Sequence, residues 1–139
     1  RTLGLSDHVS LMGPVDYDEV PAYLAQATIG YQLYQPDPWT SQSMASSTVF
    51  RHMGWGLPLV VTDLPGLGSL VESLECGLTA PADDPEAIGA AVCRLLYDRD
   101  FAAELAANGR RHVEQTYNWS NEEEKFLAHM PVPDETTPE

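Results

Sequence analysis

The sequence predicts an α/β fold, a Rossmann-like parallel sheet with helices on both faces. Segments typical of strands alternate with segments of helical periodicity between residues 9 and 97, as expected for parallel strands joined by helices. Residues 58–62 form a short apolar run, which is typical of a strand buried on both faces. Beyond residue 84 only helical patterns follow, so we expect few strands and part of a Rossmann-like domain followed by C-terminal helices.

Periodicity and the residues that begin or end each element justify the individual assignments. Gly-Pro at 13–14 ends the first strand, and Asp16 or Asp18 is expected to cap the next helix. Asp84-Pro85 begins a later helix, with aspartate at the cap and proline in the first turn. Strands are predicted at residues 9–12, 28–34 and 58–62, and residues 76–80 are expected to be a brief strand or an extended segment. Helices are predicted at residues 19–27, 46–54, 66–75, 85–97, 100–117 and 119–129. The predicted domain covers residues 1–130, and residues 131–139 are expected to be a disordered, acidic, proline-rich tail.

The charge of the chain is strongly acidic. Among its 139 residues, 21 are acidic and 7 are basic, for a formal net charge of -14. Such a field repels nucleic acids and anionic membrane surfaces, because both are bound by basic surfaces. Between Thr2 and Cys93 the only lysine or arginine is Arg51, which makes it a candidate functional residue. A surface role in a salt bridge is the alternative.

Cysteine usage and hydropathy indicate a cytoplasmic protein. Cys76 and Cys93 are isolated and fit no metal-binding or redox spacing, which favours two free thiols in a reducing compartment. No apolar run approaches the length of a transmembrane helix, and no signal peptide is visible. The sequence opens at Arg1 without a methionine, and we expect a piece of a longer protein.

Other chemistry-bearing patterns have favoured structural alternatives. Asp16-Tyr17-Asp18 resembles the Asp-x-Asp that holds a divalent metal against a nucleotide sugar, but helix capping is favoured. His52 adjoins the central stretch of the chain, yet the histidines show no metal-ligand spacing. The sequence contains no Gly-Lys-Ser/Thr phosphate loop, dinucleotide fingerprint or serine-hydrolase elbow.

Residues 45–66 hold the strongest candidate for a ligand site. Ser46, Ser47 and Thr48 place hydroxyls and free backbone N–H groups at a helix N-terminus, which is the chemistry that binds a phosphate. Arg51 follows one turn later and is expected to reach the same end with its bidentate fork. The spacing is equally compatible with serines that only cap the helix and an arginine that faces solvent.

Four segments, in this order, carry a resemblance to a known family. They read LGLSDHVSLMG at 3–13, MGWGLPLVVTDLPG at 53–66, GLTAPADDPEAI at 77–88 and GRRHVEQTYNWS at 109–120. The set resembles the C-terminal, nucleotide-sugar-binding domain of GT-B fold glycosyltransferases of group 1, family 4. The second segment, for example, is similar to that family's A-M-A-x-G-x-P-V-V-A-T-D-x-x-G.

The resemblance implies a donor-binding domain of a hexosyltransferase. Such enzymes transfer a sugar from a nucleoside-diphosphate donor, usually with retention and without an essential metal or other cofactor. By position, the loop after Gly13 would lie near the nucleobase, and backbone N–H groups of residues 43–48 would meet the diphosphate and the sugar. The implied donor-binding residues are Gly13, Ser43, Met44, Ala45, Ser46, Ser47, Thr48 and Arg51.

The sequence departs from the family at two glutamate positions, one for the donor sugar and one for the ribose hydroxyls. Ser43 and Arg51 stand there, and Met44 and Ser46 replace glycines. A carboxylate accepts from vicinal hydroxyls, whereas Arg51 can only donate, so no catalytic residue is assigned. Either Arg51 addresses the phosphates, or the protein is a divergent or inactive member.

Two main hypotheses therefore stand. In the first, the chain is the donor-binding part of a glycosyltransferase and is inactive without an N-terminal acceptor domain, with the acceptor unknown. In the second, it is a non-catalytic glycosyltransferase-like binding or scaffold domain. A sugar-phosphate-binding domain of other function is also compatible with the fold.

Overall fold

A computed structural model describes residues 4–37 and 47–130 of the chain. The predicted tail at 131–139 and the predicted site residues Ser43, Met44, Ala45 and Ser46 lie outside this description.

The sheet that the structure describes has three parallel strands in the order β1-β2-β3. They are β1 (Gly30–Gln32), β2 (Leu59–Thr62) and β3 (Gly77–Ala80). Every residue of β2 is buried, as its apolar sequence predicts for a central strand. Tyr31 pairs with Val60, and Val60 pairs with Leu78. The predicted parallel sheet is confirmed.

Helices connect these strands and continue beyond them. A 3₁₀ turn at Tyr17–Glu19 leads into α1 (Val20–Leu24). The longer helices are α2 (Ser47–Gly54), α3 (Leu67–Ser73), α4 (Pro85–Tyr97), α5 (Arg99–Gln115) and α6 (Trp119–His129). Within the described ranges, no helix is long and apolar enough to cross a membrane.

Side-chain caps begin the last three helices. Oδ1 of Asp84 accepts from the Ala87 N–H at 2.9 Å, and Asp98 caps α5 in the same way. Asn118 caps α6 through the Asn121 N–H at 3.1 Å. These local bonds explain why the boundaries of α4 and α6 agree with the sequence prediction.

Two apolar clusters cover the two faces of the sheet. Leu59 and Val61 of β2 pack with Val49 and Met53 of α2 and with residues of α3. On the other face, Val60 packs with Leu95 of α4 and Leu105 of α5. Alternate residues of one buried strand therefore face different helices, as the predicted two-sided fold requires.

The N-terminal part of the chain differs from the prediction. Residues 9–12 are not a strand, since Val9 is 54% exposed, Leu11 is 94% exposed, and neither pairs with the described sheet. The helix predicted at 19–27 is reduced to five residues, because α1 buries none of its side chains and short helices need tertiary packing. Asp16, one of the two predicted caps, stands at the N-cap of the 3₁₀ turn, but its side chain accepts no capping hydrogen bond, and Asp18 lies inside the turn.

Candidate ligand-binding site

The carboxyl ends of β1 and β2 meet at one edge of the sheet, where ligands bind in open α/β folds. Beyond β1, the Tyr34 N–H donates to Oγ1 of the fully buried Thr62 at 2.8 Å, which ties the two strand ends together. Nε2 of Gln32 donates to the Tyr34 hydroxyl. Because α2 precedes the parallel strand β2, it begins on this same side of the sheet.

The structure places part of the predicted site on α2. Ser47 is exposed and Thr48 is half-buried in its first turn, while Arg51 is half-buried one turn later. Gly13 is exposed and adopts a φ of +69°, a conformation that glycine allows without strain. The described residues therefore keep hydroxyls and N–H groups of the α2 N-terminus at the carboxyl edge.

The Arg51 side chain makes a contact that spacing did not predict. Its guanidinium carbon lies 5.1 Å from the centre of the Tyr17 ring, within the range of a cation–π interaction. Within the part of the chain that the structure describes, Arg51 forms no hydrogen bond or ion pair. The arginine is therefore directed towards the turn before α1, and its N–H groups remain available.

A small cleft surrounds this contact between α1 and α2. Its volume is about 120 Å³. Its lining residues are Tyr17, Val20, Pro21, Leu24, Arg51 and Trp55. The cleft thus offers two aromatic rings, aliphatic side chains and one guanidinium. These groups suit a planar aromatic ligand with polar atoms at its edge. Sequence reasoning missed Tyr17 and Trp55 as site residues, because their proximity to Arg51 is a tertiary contact.

His52 serves packing and does not face the carboxyl edge. A Cβ placed on Gly30 would lie 2.7 Å from His52 Nδ1, so the ring lies against the first residue of β1. Nδ1 is buried without a hydrogen-bond partner among the described residues. Burial, and secondarily the charge of Arg51, lowers the pKa of His52 below its ordinary value.

Carboxylates of the described residues form no recognisable metal site. No group of three or more His, Cys, Asp or Glu side chains in 4–37 and 47–130 is placed to hold an ion. Asp63 follows β2, and its Oδ1 would lie 3.0 Å from a Cβ on Gly68, at the start of α3. This carboxylate is a further polar group at the edge that the sequence analysis did not single out.

A wider groove lies away from this edge. It has a volume of about 780 Å³ at the junction of α4 and α5, and Cys93, Arg94 and Tyr97 are among its lining residues. Because α4 follows β3 and runs back along the sheet, its last turn lies on the amino side of the strands. The groove is thus separate from the cleft at Arg51.

These features define a Rossmann-like domain with a small cleft between α1 and α2. The protein belongs to the group 1 glycosyltransferases: the family described as "Glycosyl transferases group 1" matches residues 1–98. The resemblance of its motifs to this family is confirmed.

Characterised relatives support the same family. The chain is 28% identical over 117 residues to "GDP-mannose-dependent alpha-(1-6)-phosphatidylinositol monomannoside mannosyltransferase" of two Mycobacterium tuberculosis strains. That alignment covers 84% of this chain and 30% of the mannosyltransferase. Sucrose-phosphate synthase 4 of Arabidopsis thaliana is 28% identical over 83 residues, which are 60% of this chain and 8% of that protein.

A solved structure has the same fold. Sucrose-phosphate synthase from Thermosynechococcus elongatus superposes with a TM-score of 0.74 and 26% identity. The match covers 90% of this chain and 30% of that protein. The expected GT-B, Rossmann-like fold is therefore confirmed, and the chain spans about 30% of the length of the mannosyltransferase and of this solved synthase.

Proposed function

We propose that this chain binds the nucleoside-diphosphate sugar donor of a hexosyltransferase, which transfers the sugar to an acceptor that remains to be identified. Membership of the group 1 family supports the transferase class. The names of two relatives specify a GDP-mannose donor and mannosyl transfer. We extend to this chain the transfer of a sugar from a nucleoside-diphosphate donor.

The contact between Arg51 and Tyr17 is the observation that carries the proposal. Tyr17 begins the 3₁₀ turn that follows the loop after Gly13, and Arg51 lies one turn into α2. The family resemblance implies that both segments contact the donor. They meet at one cleft, and Ser47 and Thr48 present the start of α2 on the side where a diphosphate would be bound.

A second domain and the absence of an essential metal are part of the proposal. Because the chain spans about 30% of the length of the mannosyltransferase, we assign acceptor binding to an N-terminal domain of the same protein. The donor domain alone would bind nucleotide without transferring sugar. Transfer by the complete protein is expected to persist in EDTA, whereas a metal-dependent enzyme would lose its activity.

Isothermal titration calorimetry of the full-length protein tests donor binding. We expect UDP or GDP to bind more tightly than the corresponding nucleoside, because the nucleoside lacks the group that the α2 N-terminus would hold. Circular dichroism and thermal unfolding would verify the fold. If a folded protein bound no nucleoside diphosphate, the donor-site proposal would be refuted, and a non-catalytic binding domain would take its place.

A further inference from the structure

We propose that Arg51 makes the cleft select nucleobases with a carbonyl oxygen at pyrimidine C4 or purine C6, as in uracil and guanine, over cytosine and adenine, which carry an amino group at that position. This inference rests on the proposed function, because it names the base of the nucleotide bound at that site. The inference concerns which nucleobase the cleft accepts. Whether the diphosphate binds is a separate question.

The size and walls of the cleft fit one planar nucleobase. About 120 Å³ is smaller than the roughly 300–1,000 Å³ of a site that holds a complete small molecule. Tyr17 is 74% exposed and Trp55 is 42% exposed, so both rings offer surface to an incoming aromatic group. Stacking of a base on such side chains tolerates any base, and the walls alone would not discriminate.

Discrimination comes from the charged guanidinium of Arg51 in the cleft. A guanidinium carries five N–H donors and no acceptor, and the contact of Arg51 with the Tyr17 ring uses none of these donors in a conventional hydrogen bond. Uracil O4 and guanine O6 accept from such donors. The exocyclic amino groups of cytosine and adenine stand at the same positions and are themselves donors, so they would meet Arg51 unfavourably.

The acidic residues nearby do not offset this preference. Asp18 and Glu19 line a separate groove with Tyr23, on another side of the turn and α1. Arg51 is the one charged residue that lines the cleft within the described part of the chain. A carboxylate in the cleft would have accepted from an amino group and favoured the opposite bases.

Pairs of nucleoside diphosphates in which an amino group of the base replaces a carbonyl oxygen test this preference. UDP and CDP form one pair, and inosine and adenosine diphosphates form the other. Titration of the full-length protein should give dissociation constants about tenfold lower for UDP than for CDP, with the same direction in the purine pair. A ratio near one, or a preference for the amino bases, would overturn the inference.

Variants assign the preference to Arg51. Arg51→Met removes the donors while keeping an unbranched side chain, and both ratios should fall to near one. Arg51→Lys retains the charge without the planar fork and should keep part of the preference. Arg94→Met is the control, because Arg94 also lies over an aromatic ring, 4.1 Å from that of Phe101, but lines the groove at the α4–α5 junction. Arg94→Met should leave both ratios unchanged.

The two proposals fail in different ways. If no nucleoside diphosphate binds, the donor site itself is refuted. If all four bind and Arg51→Met leaves the ratios unchanged, donor binding stands and the role of Arg51 in base selection is wrong.

Discussion

The imidazole of His52 lies against Gly30, so closely that a Cβ on Gly30 would come within 2.7 Å of His52 Nδ1 and 2.9 Å of His52 Cβ. This contact joins the second turn of α2 to the first residue of β1. Glycine allows the approach because it lacks a side chain. Gly30, at the start of β1, therefore helps to set the position of α2. The same helix carries Arg51 and the candidate phosphate-binding end at the carboxyl edge of the sheet.

Gly30→Ala should destabilise the protein by about 1–3 kcal/mol, because the new methyl group must displace the His52 ring or the strand. Replacing His52 by alanine in the same chain removes the contacts with the ring and leaves the 2.9 Å contact with Cβ, so it should relieve part of the clash. Urea unfolding of the wild type, both single variants and the double variant gives the coupling energy, expected to be about 0.5–3 kcal/mol in favour of the double variant. Strict additivity would show that the two residues do not constrain one another.

His52 should also make stability depend on pH. Its pKa in the folded protein is lowered from 6.5, so as the pH falls below 6.5 the unfolded chain takes up a proton first. The free energy of unfolding should therefore decrease below pH 6.5, until the pH has passed through the lowered folded pKa. Above pH 6.5 the residue is neutral in both states and contributes no slope.

The comparison with His52→Gln isolates this contribution from other titrating groups. Unfolding free energies measured between about pH 7.5 and about pH 5.5 should fall more steeply in the wild type than in the variant. Equal slopes in the two proteins would mean that burial of the imidazole does not disfavour its protonated form.

Elements with strong local determinants could be predicted from the sequence. The Asp84 cap and Pro85 begin α4 where expected, and residues 119–129 form α6 as predicted. The apolar run of β2 identified the central strand. In contrast, residues 9–12 have a strand-like composition but pair with no strand of the described sheet. A strand forms only where a neighbouring strand accepts and donates its backbone hydrogen bonds, and composition does not reveal whether such a neighbour exists.

The site was predicted less completely, because its contacts join distant parts of the chain. The hydroxyl residues at the start of α2 and Arg51 were recognisable from their spacing. The positions of Tyr17 and Gly30 relative to α2 depend on how α1 and β1 pack, which no local pattern contains. Spacing predicted that Arg51 reaches the end of α2, whereas in the structure its guanidinium lies beside Tyr17 in the cleft.

Two helical glycines should respond in opposite ways to replacement by alanine. At Gly89 of α4 nothing lies within 4 Å of an added Cβ, so Gly89→Ala should stabilise the protein by about 0.5–1 kcal/mol. At Gly109 of α5 the Cβ would lie 3.2 Å from Cys76 Cβ and 3.3 Å from Met53 Cγ. Crowding there should cancel or outweigh the same gain in helix propensity.

Thermal or urea unfolding of the two variants provides the test, and each serves as the control for the other. Equal stabilisation by both substitutions would show that α5 does not approach Cys76 as closely as the structure indicates.

The two thiols should differ in reactivity. Cys76 is fully buried, and burial raises the pKa of its thiol to about 11, whereas Cys93 is exposed on α4. A thiol reagent at neutral pH should modify one cysteine rapidly in the folded protein and both after unfolding. Cys93→Ser should abolish the rapid phase, and its persistence would place the exposed thiol at Cys76 instead.

Tyr17 should contribute to nucleotide affinity through its ring. If the cleft holds the base, Tyr17→Ala should weaken UDP binding by about 1–3 kcal/mol, because stacking on an aromatic side chain is lost. Tyr17→Phe keeps the ring and should remain close to the wild type. Calorimetric titration measures both effects, and because Tyr17 is highly exposed, its replacement should leave the fold intact.

Tyr23→Ala is the matched control for this effect. Tyr23 lies on α1 and is 45% exposed, but it lines the groove with Asp18 and Glu19 instead of the cleft at Arg51. Its replacement should leave UDP affinity unchanged. If Tyr23→Ala weakened binding as much as Tyr17→Ala, the loss of affinity would come from a shift of α1 and not from a lost contact between the base and Tyr17. Selective loss with Tyr17→Ala would place the base against the ring that already contacts Arg51.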